Sequence, residues 1–230
     1  MNIEKWTVNN REVTLYLTDK ENMPLIVFNT YQGDSKSIYE KTIENGCSEF
    51  NFLVVGNLNW DDDMTPWYCP PLSENDTPCA GGADKYLSVL VNDIIPNVKK
   101  KLNGNPEYIG ISGYSLAGLF AVYAMYNTDI FDRVASMSGS FWYPDFVKYC
   151  VSNKIKKMPN KMYFSLGDKE ASIKNKMLKT VQANTESLFK YYKNLGIDVT
   201  YELNQGNHFK DADIRSAKGI KKILEEESFV

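Results

Sequence analysis

Three short stretches carry the residue types that a nucleophilic mechanism needs. The first is GYSLAG, Gly113 to Gly118, set between an apolar run that reads as a strand and one that reads as a buried helix. A serine raised on a sharp strand-to-helix turn requires small residues two before it and two or three after it. Gly113, Ala117 and Gly118 meet that demand, with Ala117 one methyl larger than the second glycine of the usual G-x-S-x-G pattern. Ser115 would then stand at a helix N-terminus, where the dipole and the free N–H of Leu116 favour a developing oxyanion. The same letters also describe a glycine-rich corner in which Ser115 only caps the helix.

The second stretch is NQGNHFKD, Asn204 to Asp211, which holds His208, the one histidine of the chain. A hydroxyl nucleophile needs a base that titrates near neutrality, and histidine is the side chain that does so unperturbed. If a Ser–His mechanism operates, His208 has no competitor. The third is SLGDKEAS, Ser165 to Ser172, directly after the apolar run KMYFSL. An acid here would orient the imidazole and stabilise its cation. Glu170, three residues past Gly167, is preferred, and Asp168 stays open. Either carboxylate could instead cap a helix that starts near Ser172.

These loops need a frame. EVTLYL (12–17) alternates as a strand does, while PLIVFNT (24–30) and NFLVVGNL (51–58) are continuous apolar runs, as expected of strands covered on both faces. SKSIYEKTIENG reads as a short helix ending at Gly46. Leu87, Leu90, Val91, Ile94, Ile95, Val98 and Leu102 recur at helical spacing, which predicts a helix over 83–102 with a kink at Pro96. YIGIS, RVASMSGS, KMYFSLG and DVTYELN read as further strands. A helix apolar on every side follows GYSLAG, a long helix is expected over 172–195, and Ile214, Ala217, Ile220 and Leu224 line a last one. Alternating strands and helices imply a three-layer α/β sandwich with a largely parallel sheet, and ligands collect at the carboxyl ends of its strands. Ser115, the acid and His208 all fall there, in the chain order of α/β-hydrolase triads.

A second oxyanion donor is expected from the turn after an earlier strand, NTYQGD, through the backbone N–H of Tyr31 or Gln32. The loop NWDDDMTPWYCPP (59–71) carries three aspartates, but a calcium loop would need glycine and glutamate where Pro66 and Leu72 stand. With one histidine and no HExxH, no zinc site is expected. The loop reads better as an aromatic wall, with Trp60, Trp67 and Tyr68 as contact surface, or as aromatics that only pack it to the body. Tyr114 beside the serine and Trp142 in SGSFWY are further candidate substrate contacts.

The composition fits one domain of 230 residues, with a long loop at 56–82 and no separate cap domain. A net charge of −3 argues against nucleic acid or an anionic membrane as partner. No signal peptide or membrane span is visible, so the expected location is cytoplasmic and the cysteines are expected to be reduced thiols. A Cys69–Cys79 bridge is left open. WDDDMTPW, GGADKYL, GYSLAGLFA, SGSFW, SLGDKEA and GNHF, in that order, resemble the putative-esterase branch of the α/β hydrolases, which includes esterase D and the enterobactin-type siderophore esterases. The resemblance implies a cofactor-free serine esterase acting on a small-molecule ester, with Ser115 as nucleophile, His208 as base and a carboxylate of the GDKE turn as third member. Acyl transfer on the same residues, or a non-catalytic binding role on the same fold, are the competing expectations.

Overall fold

The computed structural model describes residues 2–74 and 76–225. In chain order the elements are β1 (Asn2–Val8), β2 (Arg11–Leu17), β3 (Leu25–Asn29), α1 (Lys36–Glu44), β4 (Asn51–Gly56), α2 (Trp60–Asp63) and α3 (Ala83–Val89). A π-helical turn, Leu90–Ile94, joins α3 to α4 (Ile95–Lys99). Then come β5 (Ile109–Tyr114), α5 (Leu116–Asn127), β6 (Arg133–Met137), α6 (Phe146–Ser152), β7 (Lys161–Gly167), α7 (Val181–Asn194), β8 (Asp198–Asn204) and α8 (Ala212–Leu224).

The strands form one sheet in the order β1-β2-β4-β3-β5-β6-β7-β8. β1, β2 and β4 pair antiparallel in turn, and every pairing from β4 to β8 is parallel. The strands from β3 to β7 are buried at nearly every position because both faces of the sheet are covered. One apolar layer packs α3, α4, α5 and α7 on one face; the other packs α1 and α8 on the opposite face. Within α5 every residue from Leu116 to Tyr126 is buried, which is why its sequence shows no polar face. No helix among the described residues is long and apolar enough to cross a membrane.

Five elements depart from the sequence expectation, two of them the short helices α2 and α6, which were not anticipated. β1 was not anticipated: it is an edge strand with a single neighbour, its Ile3, Lys5 and Thr7 face exposed and its Glu4, Trp6 and Val8 face only half-buried, so no apolar run marks it. The expected kink at Pro96 is a π-turn just before it, which widens the helix where proline can neither donate a hydrogen bond nor tolerate the carbonyl four residues back. The helix expected over 172–195 begins only at Val181, after a 3₁₀ turn at Leu178–Thr180. Asn175 is the cause. Its Oδ1 accepts the N–H groups of Met177 (2.9 Å) and Leu178 (3.2 Å), and its Nδ2 donates to the Leu72 carbonyl at 3.3 Å. The side chain thus satisfies backbone donors outside a helix and ties this segment to the 56–82 loop.

That loop is anchored by the aspartates that invited a metal reading. Asp63 receives Arg11 through two bonds, Nη2 to Oδ1 at 2.6 Å and Nε to Oδ2 at 3.1 Å. Asp61 accepts from Thr77 at 2.7 Å, and Asp62 packs against Gly82. No group of three His, Cys, Asp or Glu that could hold a metal ion occurs among the described residues. Cys69 and Cys79 exchange backbone hydrogen bonds of 3.0 Å in both directions, and both are free thiols.

Candidate active site

β5 and α5 place Ser115 on the turn between them with φ 60° and ψ −124°, a conformation that costs a non-glycine residue energy and is held by its surroundings. Its N–H donates to Met137 at 3.0 Å, and its carbonyl accepts Gly118, Leu119 and Ser140. The turn is as tight as its glycines imply. A Cβ on Gly113 would lie 2.5 Å from the Ala117 backbone carbon and oxygen, and one on Gly118 would lie 2.7 Å from Ser136 Oγ. The close approach to β6 therefore falls on Gly118, so Ala117 is accommodated at the position where glycine is usual. Ser115 makes no side-chain capping bond to α5.

The hydroxyl turns instead to His208, whose Nε2 lies 3.0 Å from Ser115 Oγ. On the other side of the ring, Nδ1 lies 2.8 Å from Glu170 Oε2. A carboxylate only accepts, so the ring proton resides on Nδ1 and Nε2 presents its lone pair to the serine. Glu170 is buried while Asp168 is exposed, and Asp168 Oδ1 accepts the Gly206 N–H at 2.7 Å. Asp168 therefore staples the histidine loop to the end of β7 and does not touch the ring. Gly167 permits this arrangement, since a Cβ there would strike the Gly206 carbonyl.

Burial pushes the Glu170 carboxyl up. Hydrogen bonds from His208 and Ser138, the charge of His208 and the Gly167 N–H outweigh it and hold the group below the usual carboxylate range. Ser138 donates at 2.7 Å and Gly167 at 2.6 Å, both to Oε1. Arg215 Nη1 approaches the same oxygen at 3.2 Å, with both side chains almost wholly buried. Neither Ser138 nor Arg215 was anticipated. The available signal was an arginine on the core-facing stripe of the last helix; Ile214, expected on that stripe, is half exposed.

A cavity of about 510 Å³ opens beside Ser115. Trp60 and Trp142 line it, as expected, together with Leu72, Ile173, Leu178 and Val181. The last three come from the irregular 170–180 segment and the start of α7, the region read as continuous helix. Leu116 also lines the cavity, and its N–H has no acceptor among the described residues. Tyr31 and Gln32 follow Asn29, the β3 residue paired with Gly113, so their turn runs beside the Ser115 corner. Tyr31 sets its ring edge-on to Trp60 at 5.9 Å, and neither Tyr31 nor Gln32 lines the cavity. Trp67 does not line it either. Its indole donates to the Pro144 carbonyl at 3.0 Å and packs on Tyr143, Phe146 and Tyr149, fastening the loop to the body. Tyr114 is likewise outside the lining, its hydroxyl donating to the His208 carbonyl at 2.7 Å.

The sequence matches the model of the family described as "Putative esterase" over residues 4–210. The chain belongs to that family. It is an enzyme of the esterase class. The uncharacterized protein YbbA of Bacillus subtilis (strain 168) is 30% identical over 199 residues, 78% of each chain. An IroE-like serine hydrolase from Shewanella oneidensis superimposes with a TM-score of 0.77 at 15% identity, over 96% of this chain and 78% of that one. The siderophore hydrolase EstA from Aspergillus nidulans gives a TM-score of 0.69 at 18% identity, over 95% of this chain and 93% of that one. At such identities the two structures speak for the α/β fold.

Proposed function

We propose that this esterase cleaves carboxylic esters by a two-step acyl-enzyme route on Ser115. His208 Nε2 takes the Ser115 proton as Oγ attacks the ester carbonyl, and Glu170 holds the ring and stabilises the imidazolium that forms. The tetrahedral oxyanion is met by the Leu116 N–H and by a backbone N–H of the Tyr31–Gln32 turn. His208 then gives the proton to the leaving alkoxide, and the alcohol departs. Water, deprotonated by the same nitrogen, attacks the acyl-enzyme and releases the acid with Ser115 restored. The observation that carries this reading is the 3.0 Å contact between Ser115 Oγ and His208 Nε2, backed by the 2.8 Å contact to Glu170.

The walls beside Ser115 are largely apolar, and no lysine or arginine is among the described residues that line them. Such a cavity suits an acyl group that is uncharged and apolar or aromatic. The fold similarity to a siderophore hydrolase places siderophore esters in the substrate screen beside simple aryl and alkyl esters. The test is Ser115→Ala. Hydrolysis should fall by about 10⁴-fold or more with the urea midpoint unchanged, and a fluorophosphonate probe should label the native protein but not the variant. Undiminished hydrolysis by Ser115→Ala removes the assignment.

A further inference from the structure

Glu170 has two carboxylate oxygens with separate duties. Among the described residues Oε2 meets only His208, whereas Oε1 accepts the Gly167 N–H at 2.6 Å, Ser138 Oγ at 2.7 Å and Arg215 Nη1 at 3.2 Å. Saturating one oxygen fixes the carboxylate plane and leaves the other aimed at the ring. The Arg215 guanidinium does more than contribute one of these bonds. Nη1 also lies 3.2 Å from Tyr114 Oη, and Nη2 donates to the Gln205 carbonyl at 3.2 Å. Tyr114 precedes Ser115, Gln205 lies in the loop of His208, and Glu170 follows β7. One side chain, projecting from α8, thus links the three segments that supply the candidate triad.

The local sequence is fitted to this contact. A Cβ on Gly167 would lie 3.1 Å from Arg215 Nη1 and 3.0 Å from Glu170 Oε1, so the glycine makes room for the guanidinium against the carboxylate. Only 3% of the Arg215 side chain and 4% of the Glu170 side chain are exposed. Burying such a pair is no gain in stability over apolar residues of similar volume, so folding alone does not account for an arginine here. A planar fork that donates in several directions suits the task, whereas a lysine ammonium could satisfy one or two of the acceptors.

We infer that Arg215 is a positioning residue for the esterase reaction, holding Glu170, and through it His208, in line with Ser115. This rests on the reading of Ser115, His208 and Glu170 given above. Arg215 touches no reacting atom. Its contribution is exerted through the Glu170 carboxylate, so it should vanish when that carboxylate is gone.

The experiment is a double-mutant cycle on phosphonylation of Ser115 by a fluorophosphonate probe, which needs no knowledge of the natural ester. The maximal labelling rate and the half-saturating probe concentration are measured for the native chain, Arg215→Met, Glu170→Gln and the double variant. Arg215→Met should slow the maximal rate by about 10- to 100-fold, the scale of a small misplacement of reacting groups. The half-saturating concentration should stay within about twofold, and in the Glu170→Gln background Arg215→Met should change the rate by less than about twofold. Equal slowing in both backgrounds, or a loss carried by probe binding, overturns the proposal. If Arg215→Met does not give native-like circular dichroism, Arg215→Lys is judged by the same criterion. A native chain that the probe does not label overturns the reading of Ser115 itself; labelling indifferent to Arg215 overturns only the role of Arg215.

Discussion

His208 and Glu170, 38 residues apart in the chain, meet at 2.8 Å through Nδ1 and Oε2, while Asp168 in the same turn points to the Gly206 amide. The two carboxylates of the GDKE turn are therefore separable by substitution. Glu170→Gln keeps the shape of the side chain but lets an amide N–H face Nδ1, which favours the wrong tautomer. Turnover should fall by roughly 10⁴-fold, as for the corresponding acid in serine proteases. Asp168→Asn replaces a charged acceptor of the Gly206 N–H by a neutral one, costing about 1 kcal/mol of stability, with hydrolysis lowered less than about tenfold (a shift of about 1.4 kcal/mol in barrier). Steady-state hydrolysis of an aryl ester by the two variants, with urea melts alongside, checks both halves.

The Glu170 carboxyl also links the site to acid stability. Burial raises it, yet the bonds from His208 and Ser138, the His208 charge and the Gly167 N–H leave it below its ordinary value of 4.5. A group depressed in the folded state adds stability that is fully present above its unfolded value and is lost as pH falls through the folded value. Asp34, Glu49, Glu202 and Asp213 are depressed as well, so the acid limb of the whole chain is composite. The difference in unfolding free energy between the native chain and Glu170→Gln isolates the one group. Through the Glu170 carboxyl, that difference should shift against the native chain as pH falls below about 4.5. A difference that does not change down to pH 3 would show that Glu170 is not held ionised by its partners.

The parts of this architecture legible in the sequence are those that physics constrains locally. β7 is buried at all seven positions, so its run KMYFSLG announces a strand by composition alone. The convergence of Ser115, Glu170 and His208 was legible because the fold places these residue types at strand ends. Arg215 was not, since Glu170 and Tyr114, which it meets, lie 45 and 101 residues away and the contacts form only once α8 is docked. Trp67 and Tyr114 show a further reason: an aromatic near a site looks the same in sequence whether its ring faces the cavity or fastens a loop. The 172–180 segment was misread because its apolar spacing suits a helix while one side chain, Asn175, satisfies the backbone otherwise.

Glycine at 113 is a condition of the Ser115 turn. The added Cβ of Gly113→Ala would meet backbone atoms of Ala117 at 2.5 Å, and backbone cannot swing aside as a side chain can. The expected cost is about 3 kcal/mol of stability, with hydrolysis reduced by about 100-fold through displacement of Ser115. Gly46→Ala serves as the control. Gly46 has φ 74° but nothing within 4 Å of its added Cβ, so only left-handed strain of about 1 kcal/mol is expected there. Urea midpoints and aryl-ester turnover of the two variants should separate a local collision from a conformational penalty.

A second nucleophilic side chain shares the cavity with Ser115, namely Cys79. Burial, the charge of Asp61 and the neighbouring Cys69 push its thiol up to about 11, and the hydrogen bond involving Tyr143 offsets only part of this. At pH 7.5 the thiolate, which is the reactive form, should therefore make up less than about one part in a thousand. Iodoacetamide at that pH should leave ester hydrolysis unchanged while the fluorophosphonate probe abolishes it. Cys79→Ala should retain turnover within about threefold, because a small cavity lined in part by flexible side chains is all it leaves. The opposite pattern, rapid loss of activity on alkylation with protection by bound ester, would move the nucleophile from Ser115 to Cys79 and leave the contact of Ser115 with His208 without a chemical role.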